Sequence, residues 1–245
     1  MRRFHWIALL ALATAAAGAL LLASSGVGYR QGWWSLQRGF QLLAFGAYAG
    51  VGALVLGGVG LALNRPRTNG RGFILAGVAV LAGVLLAGIP WQWQRTAGRV
   101  PRIHDISTDT EQPPQFVEIA RIRSEAQAPN ALDYSAEVAA QQRQGYPDLG
   151  PLVLERPLDE AYQAALAAAE ARGWTIVTAD AAARRIEATD TTFWFGFKDD
   201  IAVRVTPADG GGSRIDVRSV SRVGRSDVGT NARRIREYLA AVAAR

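Results

Sequence analysis

Three long apolar runs, at about residues 6–23, 40–63 and 73–90, dominate the first 95 positions and are separated by short polar stretches. Each approaches the roughly 20 apolar residues that a helix needs to cross hydrocarbon, so the pattern predicts three transmembrane helices. Beyond Trp93 the pattern breaks. Residues 98–115 read GRVPRIHDISTDTEQPPQ, with prolines at Pro101, Pro113 and Pro114 and no apolar period. Proline donates neither within a helix nor to a central strand, so an extended Pro-rich lead-in is expected here. Residues 116–123 alternate as a short strand would. Residues 126–151 are mixed, with Tyr134, Gln141 and Gln142 in a candidate helix ahead of the breakers Gly145, Pro147, Gly150 and Pro151.

From Leu158 the periodicity sharpens. LDEAYQAALAAAEARG follows Pro157, puts Asp159 and Glu160 in the first turn, carries the stripe Leu158, Tyr162, Ala165 and Leu166, and stops at Gly173. These are the marks of a capped amphipathic helix. Strands are predicted at 174–179, 184–189, 200–206 and 214–220, the last two joined by Gly210, Gly211 and Gly212. In the third, Ile201, Val203 and Val205 alternate with Ala202 and Arg204. In the fourth, Ile215 and Val217 alternate with Arg214, Asp216 and Arg218, giving one apolar and one charged face. Ser226 and Asp227 then offer an N-cap to a last helix with the stripe Ile235, Tyr238, Leu239 and Val242. The expected architecture is α+β. A membrane anchor at 1–95 precedes a soluble domain at 96–245, built as a two-layer sandwich of an antiparallel sheet with helices on one face.

The net charge of +6 and an isoelectric point near 10.3 would ordinarily invite nucleic acid as a partner. Their distribution removes that reading. The first 95 residues hold eight Arg and no acidic residue, while the other 150 hold 19 basic and 21 acidic residues, so the halves carry +8 and −2. Arginine beside apolar spans sets topology. Arg2 and Arg3 precede the first span and Arg65, Arg67 and Arg71 follow the second, against Arg30 and Arg38 in the loop between them. The bias predicts a multi-pass protein of the cell inner (cytoplasmic) membrane. Its N-terminus is then cytoplasmic and its C-terminal domain extracytoplasmic, in the periplasm of a Gram-negative cell. Trp33, Trp34, Trp91 and Trp93 fall just outside span ends on one side, as indoles do at a headgroup boundary. A cleaved signal peptide is the competing reading of the first run, but its 18 apolar residues exceed the roughly 7–15 of such a segment.

Gly46, Ala49, Gly50, Ala53, Gly57 and Gly60 in the second span, and Ala79, Gly83 and Ala87 in the third, form small-residue rows that let helices approach closely. They serve contacts within the chain or an oligomer. No ionisable residue lies inside a span, which argues against a proton relay, channel or coupled transporter. The absence of cysteine removes disulfides and thiolate chemistry.

ATDTTFWFGFKDDIAVRV at 188–205, RIDVRSVSRVGRSDVGTNARRIREYL at 214–239 and RIHDISTDTEQPP at 102–114 together resemble the domain of unknown function 1499 family. The resemblance covers essentially the whole soluble part. It implies a bacterial protein whose domain follows membrane spans, with similar domains in plastids of photosynthetic eukaryotes. It brings no catalytic residues to carry over.

The densest polar constellation lies at the junction of the fourth strand and the last helix. Asp199, Asp200, Arg218, Arg222, Ser226, Asp227 and Asn231 gather there in sequence. A helix N-terminus with Ser, Asn and nearby Arg can hold an anion. Equally, Asp199 or Asp200 can pair with Arg218 or Arg222 while Ser226 or Asp227 caps the helix. No catalytic set assembles: His104 and Asp105 form half an acid–base pair, and the only other histidine is His5. Asp190, Asp199 and Asp200 lack the spacing of a calcium loop, so neither a metal nor a cofactor is expected. Phe193, Trp194, Phe195 and Phe197 suit a core, or a lipid or partner contact where Trp194 faces outward. Two functions fit. One is an interaction or assembly domain held against the lipid bilayer to bind another envelope protein. The other is a small-anion or lipid-binding domain, with hydrolysis among its options, using Asp199, Asp200 and Arg222.

Overall fold

The computed structural model describes residues 5–245. Arg2 and Arg3, which enter the topology argument, lie outside the described residues. Contacts divide the chain into two compact units, one built on residues up to Arg95 together with Trp194–Gly196, the other on Thr96–Phe193 and Phe197–Arg245.

The first unit contains α1 (His5–Arg30), α2 (Leu36–Leu63) and α3 (Pro66–Ala97). All three are long and apolar enough to cross a membrane. All three outrun the apolar runs that announce them: α1 continues to Arg30, α2 starts at Leu36, and α3 passes through Pro90 to Ala97. Proline ends helices in water but is tolerated within membrane helices, where neighbours satisfy the freed carbonyl. Ser35 caps α2, its Oγ accepting from Arg38 N at 3.3 Å. At the other end the buried Asn64 donates from Nδ2 to the Gly60 carbonyl at 2.8 Å and accepts from Asn69 Nδ2. Asn69 is non-helical, so α3 is broken near its start. The small-residue rows face neighbouring helices of the same chain. A Cβ on Gly46 would stand 2.7 Å from Leu22 Cγ, and one on Gly83 2.6 Å from the Gly50 carbonyl oxygen. Only hydrogen at these Cα atoms permits so close an approach.

The second unit is a six-stranded antiparallel sheet with helices, built from β1 (Asp105–Ser107), α4 (Glu118–Glu125), α5 (Ala136–Gly145), β2 (Leu152–Leu154), α6 (Leu158–Ala171), β3 (Thr175–Asp180), β4 (Arg185–Thr191), β5 (Lys198–Pro207), β6 (Ser213–Ser221) and α7 (Thr230–Ala243). The strand order is β1-β6-β5-β4-β3. β2 shares the free edge of β6 with β1, pairing Leu152 with Ile215 while β1 pairs Asp105 with Val220. Both short strands escape periodicity because three residues carry no usable alternation.

α6 and α7 cover the apolar face, where Tyr162, Ala165, Trp174, Ile201, Val203, Ile215, Val217, Ile235 and Tyr238 form the core. Trp174 stacks on Tyr238 at 4.8 Å between centroids, and the Tyr238 hydroxyl donates to the Ala165 carbonyl at 2.8 Å. The opposite face is covered too. The stretch expected as a strand at 116–123 is helix α4, because its apolar contacts, Phe116 and Ile119, fall three apart, and they close over Ala202 and Val220. No residue at the start of α4 caps it; the wholly buried Glu187 of β4 does so instead, accepting from Val117 N at 2.9 Å and Ile119 N at 2.8 Å. Gln142 of α5 fastens β1 in a comparable way. Its amide accepts from Ser107 N at 2.8 Å and donates to Ser107 O at 2.6 Å, taking the place of another strand.

The fragment 96–245 therefore has its own core on both sheet faces and is expected to unfold in one cooperative thermal transition. Ile119→Ala should lower its stability by about 2–5 kcal/mol, the range for emptying a packed aliphatic site. A sloping, non-cooperative melt of the fragment would contradict this account.

Candidate functional site

Alternation along a strand sends neighbouring residues to opposite faces, and this divides the candidate residues before any contact is considered. Asp200, Arg218 and Arg222 lie on the face that α4 covers. Asp199 lies with Asn231 on the face that α7 covers. The two sets are separated by the sheet.

On the α4 side, Asp200 is the hub. Its Oδ1 accepts from Arg222 Nη2 at 2.8 Å and Thr189 Oγ1 at 2.7 Å, and its Oδ2 accepts from Arg222 Nε at 2.8 Å and Arg123 Nη1 at 2.9 Å. One carboxylate thus holds two guanidiniums. Arg123 continues to the Asn130 carbonyl at 2.6 Å, and Asn130 Nδ2 donates to the carbonyls of Ser221 and Gly224. Burial pushes the Arg123 guanidinium below its ordinary value against the pull of Asp200. Arg218, 1% exposed, forks onto Asp105 at 3.0 and 2.7 Å and reaches the carbonyls of Pro114 and Leu132. The rings of Phe116 and Tyr134 lie 5.3 and 5.5 Å from its guanidinium carbon, so the charge is enclosed by a carboxylate, two carbonyls and two π faces. Further along, buried Asp216 takes Arg214 Nε at 2.8 Å, Arg204 Nη2 at 3.2 Å and Thr108 Oγ1 at 3.0 Å. Asp109 accepts from Arg204 at 3.0 Å and Arg214 at 3.3 Å.

On the α7 side the hub is Arg234, which the sequence reading did not single out. Its Nη2 donates to Asp199 at 2.7 Å, its Nε to Asp190 at 2.9 Å and its Nη1 to Ser219 Oγ at 3.2 Å and to Asn231 Oδ1. Asn231 Nδ2 donates to the His104 carbonyl at 3.0 Å and to Ser221 Oγ at 3.1 Å. Asp227 supplies the start of α7, its carboxylate accepting from Gly229 N and Asn231 N, both at 2.8 Å. Ser226 Oγ accepts from Val228 N at 3.2 Å. Burial raises the Asp227 carboxyl above its ordinary value despite these backbone donors. Val228 has φ 54°, a left-handed conformation that a β-branched residue adopts at a cost. Asp227 and Ser226 hold that turn from both ends.

The structure therefore joins Asp200 to Arg222 and Asp199 to Asn231 through Arg234, and pairs Arg218 with Asp105. His104 contributes its carbonyl. Among the described residues no three of His, Asp and Glu gather as a metal site would need. Arg123, Glu187 and Arg234 are the partners missed from sequence, and Asp105, Asp190 and Asp216, named there in other roles, are the ones whose pairings were not foreseen. The signal available was the unbroken charged alternation of β6, whose burial demanded counter-charges from elsewhere. Of the four tryptophans expected at a membrane interface, Trp33, Trp91 and Trp93 are exposed, while Trp34 donates to the Ser25 carbonyl at 3.1 Å and lies over Gly28.

Two outcomes are expected of this network. Asp200→Ala strips the counter-charge from two buried guanidiniums and should destabilise the 96–245 fragment by about 3–5 kcal/mol. Arg222→Ala, which leaves Asp200 with Arg123 and Thr189, should cost about 1–3 kcal/mol. Denaturant titration ranks the two, and an Arg222→Ala loss exceeding the Asp200→Ala loss would refute the assignment of the hub. The second outcome concerns pH. Burial opposes ionisation of Asp109, but the Gln112 and Glu111 amides and Arg204 together outweigh it and hold its carboxyl below the ordinary 3.8. A depressed pKa adds stability above the unfolded value and loses it as pH falls through the folded one. Asp109→Asn should thus be less stable than the parent at neutral pH by about 1–3 kcal/mol. The gap should begin to narrow as pH falls below about 4 and close only once pH has passed the depressed folded value, where the folded parent loses its charge as well.

No curated protein matches the chain. Residues 105–242, which run from the first residue of β1 to the last turn of α7, match the family described as "Protein of unknown function (DUF1499)". That match takes in the sheet, its helices and both charged networks, and the chain belongs to the DUF1499 family.

Proposed function

We propose that this is an inner-membrane protein that presents an extracytoplasmic interaction or assembly domain at the envelope of a bacterial cell, where it binds another envelope protein. The observation that carries the reading is that the charged candidates are spent inside the domain: Asp200 on Arg123 and Arg222, Arg218 on Asp105, Arg234 on Asp190 and Asp199. Groups so fully engaged fix the shape of a surface. A reacting group needs an open coordination position and a nucleophile, base and orienting residue within reach, and this network offers its lone pairs to its own guanidiniums. Three apolar helices in the same chain support attachment to the bilayer, and the arginine bias of their loops supports a cytoplasmic N-terminus.

A second reading, binding of a small anion or lipid headgroup, draws on Arg222. It is the most exposed of the guanidiniums in these buried pairs, with 13% of its side chain accessible against 1% for Arg218 and 4% for Arg123 and Arg234. An anion would have to compete with Asp200 for its fork.

Reporter fusions after Arg245 test the orientation: alkaline phosphatase should be active there and a fluorescent protein that folds only in the cytoplasm should be dark. The reverse pair overturns the topology. Photo-crosslinking from exposed Val153 and Arg225 in intact cells should yield a discrete protein adduct that survives Arg222→Lys. Loss of the adduct with that variant, or binding of phosphate by the 96–245 fragment that Arg222→Lys abolishes, would favour the anion reading.

A further inference from the structure

We propose that the loop between β4 and β5 is a second membrane contact of this protein, with Phe193 entering the boundary between lipid headgroups and acyl chains. The inference rests on the reading that α1, α2 and α3 cross a bilayer. Phe193 is 87% exposed and Trp194 37% exposed, adjacent aromatic residues offered to the surroundings at one loop. Trp194–Gly196 belongs to the helical unit. Trp194 Nε1 donates to Ser25 Oγ at 3.2 Å, and its ring meets Trp93 edge-on at 6.4 Å. Phe195 is buried between Tyr29 and Phe40, with centroids at 6.1 and 5.2 Å. Glycine makes the seat. A Cβ on Gly26 would fall 2.3 Å from the Trp194 carbonyl oxygen, and one on Gly39 3.0 Å from the Phe195 ring.

These contacts fix the depth of Trp194–Gly196 within the helical unit. Ser25 and Tyr29 lie in the last turns of α1, Phe40 in the first turns of α2 and Trp93 in the last turn of α3, which are ends on the same side of a three-span anchor. Exposed Trp33, Trp91 and Trp93 occupy that same level, where indoles mark the headgroup layer. A residue adjacent to Trp194 is one Cα step, about 3.8 Å, from that layer. The loop is also stiff at its base, since Thr192 and Phe197 exchange backbone and side-chain hydrogen bonds at 2.8 and 2.9 Å. A stiff loop at headgroup depth, tipped by an exposed phenylalanine, fits a lipid surface better than the flat face of a protein.

The absence of cysteine allows single-site labelling of the full-length chain. Phe193→Cys, Val55→Cys in the middle of α2 and Asp209→Cys at the β5–β6 turn are each tagged with an environment-sensitive fluorophore and reconstituted in phosphatidylcholine–phosphatidylglycerol nanodiscs. All three positions are exposed, so each accepts a tag without opening the core. The probe at 193 should emit to the blue of the one at 209, lose emission to nitroxide lipids labelled near the headgroup, and resist iodide. Its depth should fall within the roughly 5–10 Å of an interfacial residue. If the probe at 193 behaves like the one at 209 while the one at 55 is quenched by deep nitroxides, the loop proposal fails alone. Failure of lipid nitroxides to quench the probe at 55 brings down the membrane reading and the proposal with it.

Discussion

The second unit depends on neutralising a charged sheet face that is kept out of water. Glu187, Asp200, Asp216 and Arg218 all point to the face opposite the apolar core, and none is accessible. An isolated buried charge is costly in a low-dielectric interior, and only close counter-charges with filled hydrogen bonds make such a face tolerable. Several pieces of chain deliver them: α4 brings Arg123 and its own N-terminal amides, β1 brings Asp105, β6 extends into Arg222, and Arg204 and Arg214 of the strands themselves pair with Asp216 and tie in Asp109 from the segment after β1. Removing Asp105 leaves Arg218 without a carboxylate, whereas Asp200 and Asp216 each hold two guanidiniums, so the cover is held by electrostatics as well as by Phe116 and Ile119.

That arrangement explains which parts of the molecule could be read from sequence. The four long strands, α6 and α7 follow from periodicity because one face of each is apolar and packs on a single core. α4 does not, since FVEIARIR satisfies a period of two nearly as well as a helical one, and only its contacts with Ala202 and Val220 decide between them. The charged alternation of β6 looks like a solvated face in sequence, as it is in most antiparallel sheets. Its burial depends on a lead-in more than 100 positions away, which no local pattern reports. The candidate residues were legible as residue types but not as a constellation, because Asp199 and Asp200, adjacent in sequence, are on opposite sides of a sheet.

The helical unit follows another logic. With no ionisable group in its apolar runs, its specificity comes from hydrogen atoms in place of side chains at Gly46 and Gly83, and from a few polar groups turned inward. Asn64 and Ser25 are both buried and both bonded to backbone carbonyls one turn earlier, Gly60 and Leu22. Such local bonds satisfy polar side chains near the ends of apolar helices without demanding a distant partner.

The pairing of Asp105 with Arg218 carries a consequence for biosynthesis. The two residues are 113 positions apart, so at about 5–20 residues per second a ribosome takes roughly 6–23 s to supply the cation after making the anion. Through that interval β1 has no strand to join, since its partner β6 is the last strand made. Closing the domain is thus a late, long-range event of the kind that slows folding. The emerging chain must pass that time with its lead-in hydrated, β1 unpaired and the Asp105 carboxylate open to water.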